Sequence, residues 1–319
     1  GTSMAPIFSG TSQHGHSFAA TEMSHFGGGG GARTYRDGVD TAGIVFNTTP
    51  NMPNIEDQES EYPVLYLFRR HLRDSGGPGL YRGGRSGELA YTVYDAPEGK
   101  LEGLFAGTGA EMPNAIGLVG GFPGSSIRVA RVTETDVENR LSSGVHLPGQ
   151  LGDIEGKLEI LCCKHEHSVI NSGDVWYHSW QGGGGYGDPL ERNPETVAED
   201  VARDAVSLSS AADIYGVVLS GSGEHDLAAT HRRREKIRKA RLDESTGLVT
   251  GDSTITFLGS GVLEFGGVLN IDFAADKISC GYCKRAHCRP GDNLLTHLRE
   301  VNSSLSAAGP VRGEDYDRG

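Results

Sequence analysis

The chain has 319 residues, 48 glycines and a formal net charge of −13 at pH 7. This acidic balance argues against an extended surface for nucleic acid or anionic lipid. The sequence also contains no run of about 18 apolar residues, the length that a membrane-spanning helix needs. Glycine is about twice as frequent as its usual share of roughly 7%, and its clusters lack the three-residue period of collagen. Tight turns between short apolar runs therefore predict a loop-rich protein dominated by β-structure.

The cysteines and the N-terminus bear on the cellular compartment. Five cysteines, three of them in residues 280–288, do not form the even, spaced pattern of a secreted disulfide framework. The first residues lack the basic and apolar regions of a secretory signal peptide. We therefore expect a cytoplasmic protein.

Short runs of β-branched and aromatic residues between glycine-rich turns predict five strands. They cover residues 63–68, 88–94, 125–132, 157–163 and 173–180. After the last strand the pattern changes to helical spacing, in residues 194–216 and again in a basic segment at 224–242. Asn193 is the expected N-cap of the first helix, and Pro194 its first residue. The predicted fold is therefore α+β, with a β-rich body and two helices.

The glycine-rich stretch at residues 181–187 formally satisfies the G-x-G-x-x-G pattern through Gly182, Gly184 and Gly187. The dinucleotide fingerprint also needs a helix that opens on the third glycine, but Asp188 and Pro189 interrupt it here. A P-loop would need a following Gly-Lys-Ser/Thr, which is absent. We favour a tight structural turn that requires positive φ and close backbone approach, and we predict no cofactor bound by this chain's glycine loop.

A cysteine cluster near the C-terminus is a candidate metal site, formed by Cys280, Cys283, His287 and Cys288. A C-x-x-C pair presents two thiolates to one zinc ion, and a structural zinc site needs four ligands. The remaining ligands could come from this cluster, from elsewhere in the chain or from another chain. A redox pair and plain reduced cysteines are the alternatives.

The basic segment at residues 231–241 predicts a solvated or partner-docking helix face within so acidic a chain. A nucleic-acid patch is the alternative. We expect neither nucleic acid nor a membrane as a partner.

Several segments, in order, resemble the hydantoinase B family, the second large subunit type of ATP-dependent hydantoinases, oxoprolinases and acetone or acetophenone carboxylases. The matching segments are residues 27–43, 51–65, 73–84, 117–124 and 173–197, with a continuation through 214–219 and the basic helix. The resemblance implies that the glycine loop is a family signature and that ATP binds to a hydantoinase A-type partner subunit.

Only the C-terminal half of a usual family member is matched. The metal-binding His and Asp positions expected in the N-terminal half therefore have no counterpart here. The resemblance implies that the chain is not active alone and needs a chain that supplies the missing half. It also divides the chain into a hydantoinase B-like half at 1–220, a basic helix and linker at 221–250, and a small C-terminal module at 251–319.

The C-terminal module resembles the small zinc-carrying subunit of acetone and acetophenone carboxylases, which implies a zinc-ribbon-like fold. The expected function is therefore a subunit of a hetero-oligomeric ATP-dependent carboxylase that joins a ketone to bicarbonate. Zinc is expected in this chain, and ATP with Mg²⁺ or Mn²⁺ on the partner subunits. The alternatives are a subunit of an ATP-dependent amidohydrolase of hydantoinase or oxoprolinase type, and a non-catalytic zinc-binding assembly subunit.

The candidate residues near the chemistry are His25, which lies just before the family-like segment at 27–43, and Arg33, Glu56 and Arg82, which lie within family-like segments. A guanidinium group suits phosphate or carboxylate intermediates because it binds them through two parallel hydrogen bonds. Ion pairing inside the fold is the alternative role for each of these residues.

Overall fold

The computed structural model of the chain describes residues 4–21, 27–43, 52–110, 112–248, 253–265, 267–301 and 303–311. The chain divides into two compact units. The first unit contains residues 1–226 and 305–319, and the second unit contains residues 227–304.

The first unit holds nine strands and four α-helices in the part of the chain that is described. In chain order they are β1 (Met4–Thr11), β2 (Ser17–Thr21), α1 (Ile55–Glu61), β3 (Val64–His71), β4 (Gly87–Val93), β5 (Lys100–Gly107), β6 (Arg128–Thr133), α2 (Val137–Ser143), β7 (Lys157–Leu161), β8 (Lys164–Asn171), β9 (Val175–Ser179), α3 (Pro194–Ala202) and α4 (Leu208–Asp213). Short 3₁₀ turns cover Leu151–Asp153, Pro189–Glu191 and Leu305–Ala308.

These strands form two antiparallel sheets, of order β2-β1-β5-β8 and β3-β4-β9-β6-β7. Residues of both sheets share one hydrophobic core, in which the Phe105 ring of β5 stacks on Trp176 of β9 at 4.5 Å. Alternate residues of β5 are buried, as expected of a strand with one face on the core. All residues of β4 and β9 are buried, so the five-stranded sheet is covered on both faces at its centre.

The second unit begins with a long helix and continues with short strands. Its elements are α5 (Leu227–Glu244), β10 (Thr246–Gly247), β11 (Val262–Phe265), β12 (Leu269–Asp272), β13 (Lys277–Cys280), β14 (Ala286–Cys288), a 3₁₀ turn (Leu294–His297) and β15 (Arg299–Glu300). Strands β11-β12-β13-β14 form an antiparallel sheet in that order, and β10 pairs with β15. Ile271, Ile278 and Leu294 form its small core.

The α+β prediction and its five strands are confirmed, because β3, β4, β6, β7 and β9 overlap the predicted segments. The prediction of two helices is wrong, since the described residues contain five α-helices. The helix predicted across 194–216 is divided into α3 and α4, because Asp204 takes a positive φ of 54° and Ser207 caps a new helix at the Ser210 N–H. The zinc-ribbon resemblance of the C-terminal module stays a prediction. Among the described residues, no helix is both long and apolar enough to cross a membrane.

Candidate functional site

Four glycine-rich segments of the first unit lie against one another outside the regular strands, and we call them the glycine bundle. They are residues 27–32, 76–84, 115–124 and 182–187. Backbone hydrogen bonds join them: the Gly84 N–H donates to the Gly30 carbonyl at 2.8 Å, and the Gly183 N–H to the Gly84 carbonyl at 3.0 Å. The Gly185 N–H donates to the Phe122 carbonyl at 2.9 Å.

At several of its glycines the bundle packs backbone directly against backbone, which leaves no space for a side chain at those positions. A Cβ atom at Gly183 would lie 1.8 Å from the Gly30 carbonyl oxygen, and one at Gly83 would lie 1.9 Å from the Gly183 carbonyl oxygen. A Cβ at Gly182 would lie 1.7 Å from the Ser75 carbonyl oxygen. Glycine is therefore required at these positions for close approach of the backbones.

The G-x-G-x-x-G match belongs to this bundle. Close backbone approach is confirmed, but of its three glycines only Gly187 has a positive φ, of 75°. The N–H groups of Gly183 and Gly185, which would be free to bind phosphate in a nucleotide loop, donate to backbone carbonyls instead. The stretch therefore builds the fold through its backbone.

A buried ion-pair network holds the bundle to the chain that leads into α3. The Arg192 guanidinium binds Asp37 through two hydrogen bonds, of 2.7 and 2.6 Å, and Asp200 at 2.8 Å. It also donates to the Leu80 carbonyl at 3.1 Å. The Arg192 side chain is only 2% exposed, so its charge depends on these carboxylates for compensation.

Two further arginines complete the network at Asp40. The backbone N–H of Arg85 donates to Asp40 Oδ1 at 2.6 Å, and its Nε donates to Asp40 Oδ2 at 2.9 Å. Arg82 Nη1 lies 3.4 Å from Asp40 and donates to the Gly83 carbonyl at 2.7 Å. Three arginines thus meet three carboxylates, and the network, defined as Asp37, Asp40, Arg82, Arg85, Arg192 and Asp200, is balanced in charge.

The network perturbs the pKa values of its members. Burial raises the pKa of the Asp37 carboxyl, but the hydrogen bonds and charges of Arg192 and Arg82 outweigh burial and hold that pKa below its ordinary value. The pKa of Asp40 is lowered in the same way by Arg85 and Arg82, against burial. Both carboxylates are therefore stabilised in their charged form.

Three of the predicted site residues, Arg33, Glu56 and Arg82, lie in different segments of the first unit. Arg82 is a member of the buried network, whereas Arg33 is exposed in a turn. Glu56 is exposed in the first turn of α1. No hydrogen bond or ion pair joins these three residues in the described ranges, and His25 lies outside those ranges.

Arg33 lies in a cationic turn with an exposed tyrosine. A hydrogen bond from Arg33, together with the charges of Arg36 and Arg33, lowers the pKa of the Tyr35 phenol. The Arg36 guanidinium carbon lies 5.7 Å from the centre of the Tyr35 ring. This turn, residues 33–36, therefore presents positive charge and an aromatic ring to solvent.

The four predicted zinc ligands are not gathered into one site. No three or more His, Cys, Asp or Glu side chains among the described residues could hold a metal ion together. His287 and Cys288 are consecutive in β14 and therefore point to opposite faces of the sheet. Cys288 packs against the small core, and its burial raises the pKa of its thiol. Cys280 and Cys283 lie at and after the end of β13, where the Lys284 N–H donates to the Cys280 carbonyl at 3.0 Å.

Sequence reasoning missed a buried histidine at the centre of the five-stranded sheet. His178 in β9 is fully buried, and its ring stacks on Tyr91 at 5.6 Å and lies 5.1 Å from Phe105. Neither ring nitrogen has a hydrogen-bond partner in the described part of the chain. Burial lowers the pKa of His178 to about 3, so the ring is neutral at pH 7.

Comparison with known proteins supports the resemblance found in the sequence. The profile of Hydantoinase B/oxoprolinase matches residues 1–189. The acetone carboxylase alpha subunit of Xanthobacter autotrophicus is 30% identical over 74% of this chain and 32% of its own length. The acetophenone carboxylase delta subunit of Aromatoleum aromaticum is 31% identical over 74% of this chain and 36% of its own length.

Two solved structures are similar as well. A nucleotide-free acetone carboxylase matches with a TM-score of 0.69 at 30% identity, over 76% of this chain and 34% of its own. The ATP-dependent caprolactamase of Pseudomonas jessenii matches with a TM-score of 0.58 at 26% identity, over 73% of this chain and 38% of its own. The chain thus spans about a third of the length of these relatives. It belongs to the hydantoinase B/oxoprolinase family.

Proposed function

We propose that the protein is part of a hetero-oligomeric ATP-dependent carboxylase that joins a ketone of acetone or acetophenone type to bicarbonate. The observation that carries the proposal is the match to acetone carboxylase, in sequence over 74% of this chain and in structure with a TM-score of 0.69. The acetophenone carboxylase delta subunit supports the same reaction class.

In this proposal the chain supplies a rigid wall and not the reacting groups. The arginines of the network are already engaged by carboxylates or backbone carbonyls, so they have few donors left for a substrate. Backbone packing in the glycine bundle fixes the segments around them. A rigid wall suits a reaction with hydrolysable activated intermediates, because excluded water prevents their loss.

A groove beside α2 has a volume of about 410 Å³ but does not suit such intermediates. Its lining residues are Thr92, Val93, Tyr94, Asp95, Glu138, Leu141, Ser142 and Ser172. Two of these are acidic and none is cationic, so an activated carbonate or phosphate would meet like charge there. We therefore place the reaction elsewhere in the complex. Of the two candidate arginines, Arg33 is exposed to solvent and Arg82 is buried.

The proposal includes the partners and cofactors. A hydantoinase A-type subunit would bind ATP with Mg²⁺ or Mn²⁺, and the region of the relatives that this chain does not match would supply the remaining catalytic groups. The chain by itself would then be inactive. Cys280 and Cys283 would form half of a zinc site completed by a partner subunit, and the complex would work in the cytoplasm.

The alternative is an ATP-dependent amidohydrolase of the hydantoinase or oxoprolinase type. The beta subunit of the caprolactamase from Pseudomonas jessenii is 32% identical over 57% of this chain. The B subunit of a putative D-/L-hydantoinase from a Pseudomonas strain is 31% identical over 64% of it. These identities are close to those of the carboxylases, so the longer matched region and the higher TM-score favour carboxylation. A non-catalytic zinc-binding assembly subunit is the third candidate.

The test is an assay of the intact complex purified from its source. We expect radiolabel from bicarbonate to appear in a 3-oxo acid, trapped by borohydride reduction, only when ATP and a ketone are both present. ATP-dependent ring opening of caprolactam or a hydantoin without bicarbonate would instead establish the amidohydrolase. If neither reaction occurs in a complex that contains an ATP-binding subunit, the chain is an assembly subunit.

Native mass spectrometry of the same complex tests the partners and the metal. We expect a hydantoinase A-type subunit in the complex and zinc that is lost in a Cys283→Ser variant. Cys162→Ser is the matched control, because Cys162 is an exposed cysteine outside the proposed pair. A complex whose zinc content is unchanged by Cys283→Ser would contradict the zinc assignment.

A further inference from the structure

A row of paired apolar residues runs from the small core of the second unit to the edge strand of its sheet, and its last side chain is partly exposed. Leu263 of β11 is paired with Ile271 of β12, which is paired in turn with Ile278 of β13. Residues paired across an antiparallel sheet lie on the same face. Ile278 and Ile271 are both 0% exposed, whereas Leu263 is 46% exposed. The apolar row therefore lacks one neighbour on the outer side of β11.

The next residue on this face continues the exposed row. Phe265 lies two positions after Leu263, on the same side of β11, and is 54% exposed. Only Phe257 stacks against its ring, edge-on at 5.9 Å, among the described residues. Apolar side chains are thus concentrated at one sheet edge, which is unusual unless that edge is covered.

Among the described residues, no strand pairs with the outer side of β11. The Phe273 N–H donates to the Gly261 carbonyl at 3.0 Å, just beyond the first pair of the two strands. Since hydrogen-bonded and non-hydrogen-bonded pairs alternate in an antiparallel ladder, Leu263 and Phe265 direct their N–H and C=O groups toward β12. Val262 and Glu264 direct theirs away from β12, on the side where β11 forms the edge of the sheet in the described part of the chain.

We propose that β11 binds an extended segment of a partner protein as a fifth strand of this sheet. The bound segment would carry apolar residues opposite Leu263 and Phe265, and a lysine or arginine between them, opposite Glu264. Glu264 is exposed and has no ion pair among the described residues, so a cation on the added strand would complement its charge. Main-chain hydrogen bonds to Val262 and Glu264 would supply the affinity.

A second copy of the same strand fits this edge less well. Two copies of β11 could pair antiparallel with Leu263 of one opposite Phe265 of the other, which would cover both side chains. That register places the two Glu264 carboxylates directly opposite each other. Like charges in that position destabilise the pair. The register centred on Leu263 avoids this clash but leaves Phe265 opposite Gly261 and uncovered. The charge pattern therefore favours a different chain.

The experiment uses the full chain and a fluorescein-labelled peptide of sequence Ser-Thr-Val-Lys-Val-Thr-Ser, with fluorescence anisotropy as the measurement. A second peptide replaces the lysine with glutamate. We expect the lysine peptide to bind about threefold more tightly than the glutamate peptide. Glu264→Lys should reverse this preference, whereas Glu224→Lys, an exposed acid elsewhere in the chain, should leave it unchanged.

A proline variant tests the backbone part of the proposal. Glu264→Pro removes an N–H that faces away from β12, so the β11–β12 ladder is preserved, and affinity for both peptides should fall at least about tenfold. If this variant does not fold, the reversed peptide preference of Glu264→Lys still tests the proposal.

The proposal is overturned if no peptide binds with a Kd below about 1 mM or if both peptides bind equally. It is also overturned if the unmodified chain dimerises and Glu264→Pro abolishes the dimer, because the occupant is then a second copy.

Discussion

Arg192 and Asp37 lie 155 positions apart in the sequence and form a two-point ion pair, with Nη1–Oδ1 and Nη2–Oδ2 distances of 2.7 and 2.6 Å. The same guanidinium reaches Asp200 from its other side. Because Arg192 is nearly fully buried, this single side chain compensates two carboxylates from different parts of the first unit. Through its further hydrogen bond to the Leu80 carbonyl, Arg192 also joins the glycine bundle to α3.

Removing the shared arginine should destabilise the protein strongly. In Arg192→Met, Asp37 loses the partner that binds it through two hydrogen bonds, and Asp200 loses its closest cation. Asp37 would stay partly shielded from water and Asp200 largely shielded. Loss of one partner from a buried pair typically costs about 3–5 kcal/mol. We expect a decrease of that size in the free energy of unfolding, measured by urea denaturation followed by circular dichroism.

An exposed ion pair in the same unit provides the matched control. Arg73 and Asp204 are 2.9 Å apart, but their side chains are 53% and 61% exposed. Exposed pairs contribute about 0–1 kcal/mol, so Arg73→Met should lower the free energy of unfolding by no more than about 1 kcal/mol. Equal losses in the two variants would show that burial of the network does not determine its contribution.

Two glycines in the same bundle should respond oppositely to alanine. A Cβ at Gly183 would lie 1.8 Å from the Gly30 carbonyl oxygen, a backbone atom that cannot move aside without disturbing the bundle. Gly31 has no atom within 4 Å of its Cβ position. We expect Gly183→Ala to lose more than about 4 kcal/mol of stability or to fail to fold. Gly31→Ala should be neutral or stabilising by up to about 1 kcal/mol, since it restricts the unfolded chain.

Thermal unfolding of the two variants distinguishes steric exclusion from a general effect of glycine substitution. If Gly31→Ala also loses several kcal/mol, the cause is not the close backbone contact seen at Gly183. If Gly183→Ala keeps the stability of the unmodified protein, the bundle must be able to expand, which would contradict its close packing.

The five strands of the sheet β3-β4-β9-β6-β7 were predicted because they are short apolar runs bounded by glycine, but their pairing into one sheet was not. The other sheet was missed: β1 contains Pro6 and Gly10, and β5 contains Gly103, which weaken the strand pattern. Helices α1 and α2 have seven residues each, about two turns, which is too short to display a helical period.

Most of the ion-pair network was not predicted, although the sequence carries a signal for it. Asp37 and Asp40 are three residues apart, and so are Arg82 and Arg85, each pair within a glycine-rich segment. Matching charge spacing in two flexible segments could have indicated that they meet. Arg192 and Asp200 carry no comparable signal, because Arg192 precedes α3 in the sequence and resembles an ordinary polar residue before a helix.

The buried histidine should make stability depend on pH. The unfolded chain's histidine takes up a proton below about pH 6.5, whereas burial lowers the pKa of His178 to about 3 in the folded protein. Between these values the unfolded state binds more protons, so the free energy of unfolding falls as the pH falls, by about 2 kcal/mol at pH 5 from this group. His178→Leu should remove that part of the pH dependence, measured by urea unfolding at pH 7 and pH 5, whatever its effect at pH 7.

His146→Leu is the control, because His146 is exposed; it should leave the difference in unfolding free energy between pH 7 and pH 5 unchanged. The same difference left unchanged in His178→Leu would contradict the assignment.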